Sequence, residues 1–184
     1  VATADNPSAI YYNPAGITQL EGQQVRVGLY AISTGYDYTS PTGATASADS
    51  TVQPIPQLYY VNTLKDYPFS FGLGVYVPFG LSIDWGHDNP FRTIAEEGKL
   101  IYMNVNPVVA WKVNDKFSIA IGPEFIFSQA EFKQGILVPG DEFKFKGDDN
   151  GYSFNAGMRW QPLEQLAFGV TYRYLTTLNY DGYA

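Results

Sequence analysis

Phe69-Ser-Phe-Gly-Leu-Gly-Val-Tyr-Val77 decides the fold of this chain. Its odd positions are all large and apolar, while its even positions are small or tyrosine. A period of two is the signature of an extended strand with one apolar face. Pro78-Phe-Gly-Leu81 follows directly. Proline withdraws a ladder donor and glycine offers no side chain to pack, so the strand is expected to bulge or bend there.

The same alternation recurs on both sides of this stretch. Upstream, Val25, Val27, Leu29 and Ala31 oppose Arg26, Gly28 and Tyr30, and a second strand of mixed phase covers 55–64. Downstream, Ile101, Met103, Val105, Val109, Trp111 and Val113 oppose Tyr102, Asn104, Asn106, Ala110 and Lys112. Phe117, Ile119, Ile121, Phe125 and Phe127 then oppose Ser118, Ala120, Gly122, Glu124 and Ser128. Two more alternating runs lie at 152–161 and 166–174, so seven strands are expected.

Their connections alternate in length. Polar stretches at 34–53, 82–97 and 134–150 are long, whereas the turns at 65–68, 114–116 and 162–165 are short. Long loops at one end and tight turns at the other are how outer-membrane barrels are built. Phe69, Trp111, Phe117, Trp160 and Phe168 all lie near a short turn on the apolar phase, where strands in register would align them as a belt at one membrane interface. The opposite phase is small and polar, with the inward charges Arg26, Lys112, Glu124, Arg159 and Arg173, as a lumen requires. The competing fold is a soluble sandwich or lipid-binding barrel, which shares the alternation but not the sorted loops.

Composition points the same way. Charged residues are 16% of the chain, below the roughly 25% usual for soluble domains, and aromatics are also 16%. No apolar run approaches the roughly 20 residues of a transmembrane helix. A net charge of −7 argues against a nucleic-acid partner. Cysteine is absent. The chain opens at Val1 without methionine or a leader, and it reads as an interior cut whose signal peptide was removed or left out.

Ahead of the first strand stands Asn6-Pro-Ser-Ala-Ile-Tyr-Tyr-Asn-Pro-Ala-Gly16. Its two Asn-Pro steps oppose regular structure. The residues alone allow either a turn before a strand or a plug occupying the lumen.

Several stretches resemble the FadL/TodX (OmpP1) outer-membrane transporters of long-chain fatty acids and hydrocarbons. They are Asp5 to Gly16, Val77-Pro-Phe-Gly-Leu81, Met103-Asn-Val-Asn-Pro107 with Val113-Asn-Asp-Lys-Phe-Ser118, and Gly147-Asp-Asp-Asn-Gly-Tyr-Ser-Phe-Asn155. The resemblance implies an all-β, antiparallel transmembrane barrel of about fourteen strands. Residues 1–22 would be part of an N-terminal hatch, and 23–184 the first seven strands, with closing strands expected after Ala184. It implies Asn13, Pro14 and Ala15 as the hatch motif that meets ligand, and Pro78, Phe79 and Gly80 as the kink of a lateral gate. Hydrophobic ligand would be captured by outer loops, bound in the lumen, and released sideways into the membrane. The expected surroundings are outer-membrane lipid and lipopolysaccharide of a Gram-negative cell, around a monomeric barrel that uses no cofactor.

Other chemistry is weaker. Arg159 and Arg173 offer guanidinium forks that suit a fatty acid carboxylate, or else an inward ion pair with Glu124 or Asp5. Phe91, Ile136, Leu137, Val138, Phe143 and Phe145 would form an outer capture groove, or pack on themselves. Catalysis is not expected, because the only histidine, His87, lies in an acidic loop and no Gly-x-Ser-x-Gly occurs. His87 reads as solvated, Asp148-Asp-Asn-Gly151 as a polar turn, and no metal ligands are assigned. The alternatives to a transporter are a soluble or periplasmic lipid-binding β-protein and a structural outer-membrane barrel.

Overall fold

The computed structural model describes residues 1–137 and 140–183, so Val138 of the expected capture groove and the chain end at Ala184 lie outside the described residues. Seven staves form one antiparallel sheet. They are β1 (Gln23–Thr34), β4 (Thr51–Thr63), β5 (Phe69–Asp84), β6 (Glu97–Asn114), β7 (Phe117–Gly135), β8 (Glu142–Leu163) and a last, interrupted one. The last stave consists of β9 (Leu166–Arg173) and β10 (Asp181–Tyr183), both paired with β8. A separate small hairpin, β2 (Asp37–Thr39) with β3 (Thr45–Ser47), lies within the long connection between β1 and β4. Among the described residues no helix is long and apolar enough to cross a membrane.

The sheet is apolar outside and polar inside. Phe71, Ile121 and Val170 are exposed, while Ser70, Asn106, Ser118, Glu124 and Asn155 are buried on the concave face. The expected aromatic belt is present in register: Phe69 lies opposite Trp111, Phe117 opposite Trp160, and Trp160 opposite Phe168. Two of these pairs stack, with ring centroids 6.3 Å and 5.5 Å apart. Rings of this kind are favoured at the headgroup level.

The loop expected at 134–150 is instead mostly strand. β7 and β8 have 19 and 22 residues, about twice what a tilted strand needs to cross the hydrocarbon. At the end remote from the aromatic belt, Lys133 pairs with Glu97, and Lys144 with Glu131 at 2.7 Å. Lys144, with Asp141, Glu142, Lys146, Asp148 and Asp149, gives 134–150 the composition of a loop, but cross-strand ion pairs suit a ladder that continues into water. Asp148-Asp-Asn-Gly151 is therefore no turn; it lies within β8 opposite Ile126 to Gln129.

Residues 1–22 fill the concavity. A single helical turn, α1 (Ala9–Tyr12), leads into a 3-10 helix over Pro14–Gln19. Ala9, Ile10, Ile17 and Leu20 pack against Tyr59, Val61, Tyr76, Val108 and Ala110 of the wall to make the hydrophobic core. Ile10 and Ile17 are fully buried, and each such side chain contributes roughly 2–3 kcal/mol relative to exposure. The wall makes room with glycine: a Cβ on Gly72 would lie 2.8 Å from Ile10 Cδ1.

Gly157 is the tighter seat. A Cβ there would collide with Asn13 Oδ1 and approach Pro14 Cδ to 2.8 Å. Both obstacles belong to a buried turn, so neither can swing aside as a flexible side chain would. Gly157→Val is expected to destabilise the assembled protein by roughly 1–3 kcal/mol through overpacking. The measurement is the denaturant midpoint in detergent, and an unshifted midpoint would refute the seat.

Candidate functional site

The alternation of β5 carries its own interruption. Tyr76 pairs with Asn104 and Phe79 with Tyr102, so Val77 and Pro78 together oppose the single residue Met103. That is a β-bulge, and it resets the side-chain phase. Below it Phe69, Phe71, Leu73 and Val75 point outward with Trp111, Val109, Pro107 and Val105. Above it Phe79, Leu81 and Ile83 share the face of Tyr102, Leu100 and Gly98, which is the concave one. The Phe79 and Tyr102 rings lie 4.4 Å apart.

The bulge also parts β5 from β4. Pairing between them runs only from Thr63↔Ser70 to Gln57↔Tyr76, although β4 continues back to Thr51 and β5 on to Asp84. β4 carries Pro54 and Pro56 in this unpaired length, yet its ladder with β1 is continuous across both. Their missing N–H groups therefore belong on the β5 side, where no bond is made. Above, the connection leading into β4 and a β4 side chain reach β5 again, where Asp49 N–H donates to Asp84 O at 2.7 Å and Gln53 Nε2 to Ser82 O at 3.4 Å. The result is an unpaired length between two neighbouring strands, a window in the hydrogen-bond ladder bounded above and below. The Pro78 edge was expected from the residues and the Pro54 and Pro56 edge was not; two prolines at a spacing of two in one strand were the available signal.

A cavity of about 230 Å³ lies at the lower corner of this window, lined by Tyr11, Tyr30, Ile55, Tyr59, Tyr76 and Pro78 among others. Its aromatics brace one another, with Tyr11 edge-on to Tyr76 at 5.1 Å and Tyr59 stacked on Tyr76 at 5.7 Å. Such a wall is apolar, with hydroxyls as its polar handles.

Behind Tyr76 lies a buried polar cluster. Its hydroxyl donates towards Glu124 Oε1 and Asn106 Oδ1, both at 3.3 Å. Arg173 Nε donates to Glu124 Oε1 at 2.9 Å, its terminal nitrogen to Tyr11 O at 3.1 Å, and its guanidinium covers the Tyr11 ring at 4.7 Å. Asn155 Nδ2 donates to Ile10 O and to Asn106 Oδ1, each at 3.0 Å. Asn106 Nδ2 donates to Pro123 O at 2.8 Å, where Pro107 and Pro123 interrupt the ladder between β6 and β7. The cluster thus satisfies the Ile10 and Tyr11 carbonyls of α1, which a helix end leaves without partners. Of the two readings of Arg173, the ion pair with Glu124 is the one made.

Asn13, Pro14 and Ala15 are fully buried against the wall and do not line the cavity. Asn13 caps the 3-10 helix by accepting from Ala15 N–H at 3.2 Å, and it donates to Val1 O at 3.1 Å and Met158 O at 3.0 Å. Ser118 Oγ donates to Ala15 O at 3.1 Å. Proline at the first helical position is pre-set for this geometry.

Arg159 is separate from Arg173. It donates to Ala2 O at 3.2 Å and to Gln161 Oε1 at 2.6 Å, beside a hollow of about 920 Å³ at the short-turn end lined by Lys65, Lys112 and Lys116 as well as by Thr18 and Gln19. In the long connections, Phe91 packs edge-on against Tyr38 and Trp85 at 4.8 Å and 5.1 Å, whereas Leu137 is 90% exposed. His87 is not simply solvated: its Nδ1 meets Glu96 at 2.9 Å, and Arg92 Nε donates to the same oxygen at 3.1 Å. Burial opposes the Glu96 charge, but these two hydrogen bonds outweigh it and hold the carboxyl below its ordinary range.

An apolar exterior, an aromatic belt, a polar concave face and a filled interior define half of an outer-membrane β-barrel wall. Residues 1–184 match the family described as outer membrane protein transport protein (OMPP1/FadL/TodX), and the chain belongs to that family of Gram-negative outer-membrane proteins. It is 23% identical to the long-chain fatty acid transport protein of Escherichia coli over 98% of this chain and 47% of that protein. It is 26% identical to outer membrane protein P1 of Haemophilus influenzae over 90% and 39%. The crystal structure of the P. putida toluene transporter TodX matches with a TM-score of 0.76 and 18% identity, over 94% of this chain and 52% of TodX. That of a Pseudomonas aeruginosa FadL homologue matches with a TM-score of 0.68 and 22% identity, over 91% and 47%. The chain spans about half the length of these relatives.

Proposed function

We propose that the complete protein carrying this chain takes up hydrophobic molecules, long-chain fatty acids or hydrocarbons, through the outer membrane. The observation that carries this reading is the window between β4 and β5 beside a tyrosine-lined cavity. Ligand is captured by the long loops, enters the apolar lumen face that the bulge creates with Phe79 and Leu81, and leaves sideways past Pro78, Phe79 and Gly80. A wall opening into hydrocarbon gives an apolar solute a path that avoids water, and its driving force is transfer into lipid. Residues 1–22 act as the hatch. Asn13, Pro14 and Ala15 form the joint by which it is seated, and they meet ligand when it shifts. A ligand carboxylate reaches Arg173 by displacing the α1 carbonyl, while Arg159 serves the short-turn end. The barrel is completed by strands outside this chain, sits as a monomer among lipid and lipopolysaccharide, and needs no cofactor. It is a transporter and not an enzyme, as the names of its relatives support.

The test is uptake of a radiolabelled long-chain fatty acid, and separately of toluene, by cells that lack other such transporters and express the full-length protein. Uptake of at least one above the empty-vector control is expected. Assembly in the outer membrane without uptake of either would favour the structural-barrel alternative.

A further inference from the structure

We propose that His87 and Glu142 hold a divalent transition-metal ion, of which zinc is the type, at the long-loop end of the wall. The two residues come from different elements. His87 lies in the connection between β5 and β6, and Glu142 opens β8. With Glu96 they bring one ligand atom each to within 4.8 Å of one another.

The imidazole is arranged as a metal ligand would be. A carboxylate only accepts hydrogen bonds, so the 2.9 Å contact with Glu96 Oε1 places the ring proton on Nδ1. Glu96 is itself 4% exposed and held by Arg92, so this partner is fixed. In the neutral ring Nε2 then carries the lone pair, and it lies 3.8 Å from Glu142 Oε2. A cation between a lone pair and a carboxylate oxygen at this separation offsets their mutual repulsion. An ion with bonds of about 2.1 Å to each holds them roughly 3.4 Å apart at a tetrahedral angle, a closure of a few tenths of an ångström from the distance seen. A carboxylate that orients the ligating histidine through its far nitrogen is the usual support for such an ion.

The setting suits a cation. Side chains of His87 and Glu142 are 58% and 43% exposed, leaving room for water to complete the coordination. Asp84, Asp88 and Asp141 neighbour these residues in sequence; Arg92 is spent on Glu96, and Lys133, whose charge is felt by Glu142, is paired with Glu97. One imidazole nitrogen with one carboxylate favours zinc-like ions over calcium or magnesium, which prefer oxygen alone. Bound metal would tie the 85–96 connection to the start of β8, which Arg92 already reaches through Asp141 O at 3.0 Å.

The experiment is calorimetric titration of the chelator-treated full-length protein in detergent with zinc chloride. A saturable site is expected that is lost in His87→Ala, in His87→Gln and in Glu142→Gln. Glu96→Gln should keep the site but weaken it roughly 10- to 100-fold, as removal of an orienting carboxylate does. Heat-modifiable gel mobility reports whether each variant is folded, and the wild-type titration decides independently of them. No saturable zinc uptake would overturn the proposal and leave an ion-paired strap. So would uptake unchanged in both His87 variants, or a preference for calcium chloride over zinc chloride.

Discussion

Resealing the wall is expected to abolish uptake. The sealed variant lacks Pro78 and carries Pro54→Val and Pro56→Val. Deleting Pro78 removes the extra residue, so that Val77 falls opposite Met103 while Phe79 keeps its partner Tyr102. Substitution of Pro78 and Gly80 by valine restores a donor and a side chain but leaves the residue count unchanged, and so has the smaller expected effect. The two valines in β4 return the N–H groups that face β5, and the ladder can then continue from Gln57↔Tyr76 towards Thr51 and Asp84. Belt and core are untouched, so heat-modifiable mobility should persist while ligand uptake falls to the level of cells without the protein. Uptake at the wild-type rate through a sealed, folded wall would refute lateral exit at this window.

The second large effect is expected at Arg173. Glu124 is 1% exposed, and Arg173 is its cationic partner. Truncation to alanine leaves the carboxylate buried beside Tyr76 and removes the donor to Tyr11 O. Breaking one side of a buried pair costs roughly 3–5 kcal/mol, and the 37% exposure of the Arg173 side chain places this pair at the lower end or below it. The consequence should appear as loosening of α1. Ala9→Cys introduces a thiol at a position 1% exposed, in a chain without other cysteines. Its labelling should be faster in Arg173→Ala than in the parent. Removing both charges, with Arg173→Leu and Glu124→Leu, should restore much of the protection, because no uncompensated charge remains. Equal labelling of parent and Arg173→Ala would show that the ion pair does not hold the segment.

How far the sequence could be read follows from what each feature depends on. Strand faces, the aromatic belt and the bulge at Pro78 are local patterns, and they were legible. The length of β7 and β8 was not, because the charged run from Asp141 to Asp149 has the composition of a loop and becomes strand only through partners on the neighbouring strand, as Lys144 does with Glu131. The inward residues Ser118 and Asn155 were legible as polar, but not as donors to Ala15 O and Ile10 O, which are more than a hundred residues away. His87 is solvated as expected, with its side chain 58% exposed, but its contacts were not legible for the same reason: they are made by Glu96 and Glu142, and the latter stood in an expected loop.

The wall addresses residues 1–22 largely through their carbonyls. Arg159 reaches Ala2 O, Asn155 reaches Ile10 O, Arg173 reaches Tyr11 O and Ser118 reaches Ala15 O. A carbonyl is common to every amino acid, so these contacts read the path of the segment and not its spelling. Substitutions that preserve that path, at Tyr12 for example, whose side chain is 55% exposed, leave the grip intact. Side chains of the segment that this wall does not grip can therefore differ without altering how its backbone is held, and one docking scheme can carry many different outer surfaces.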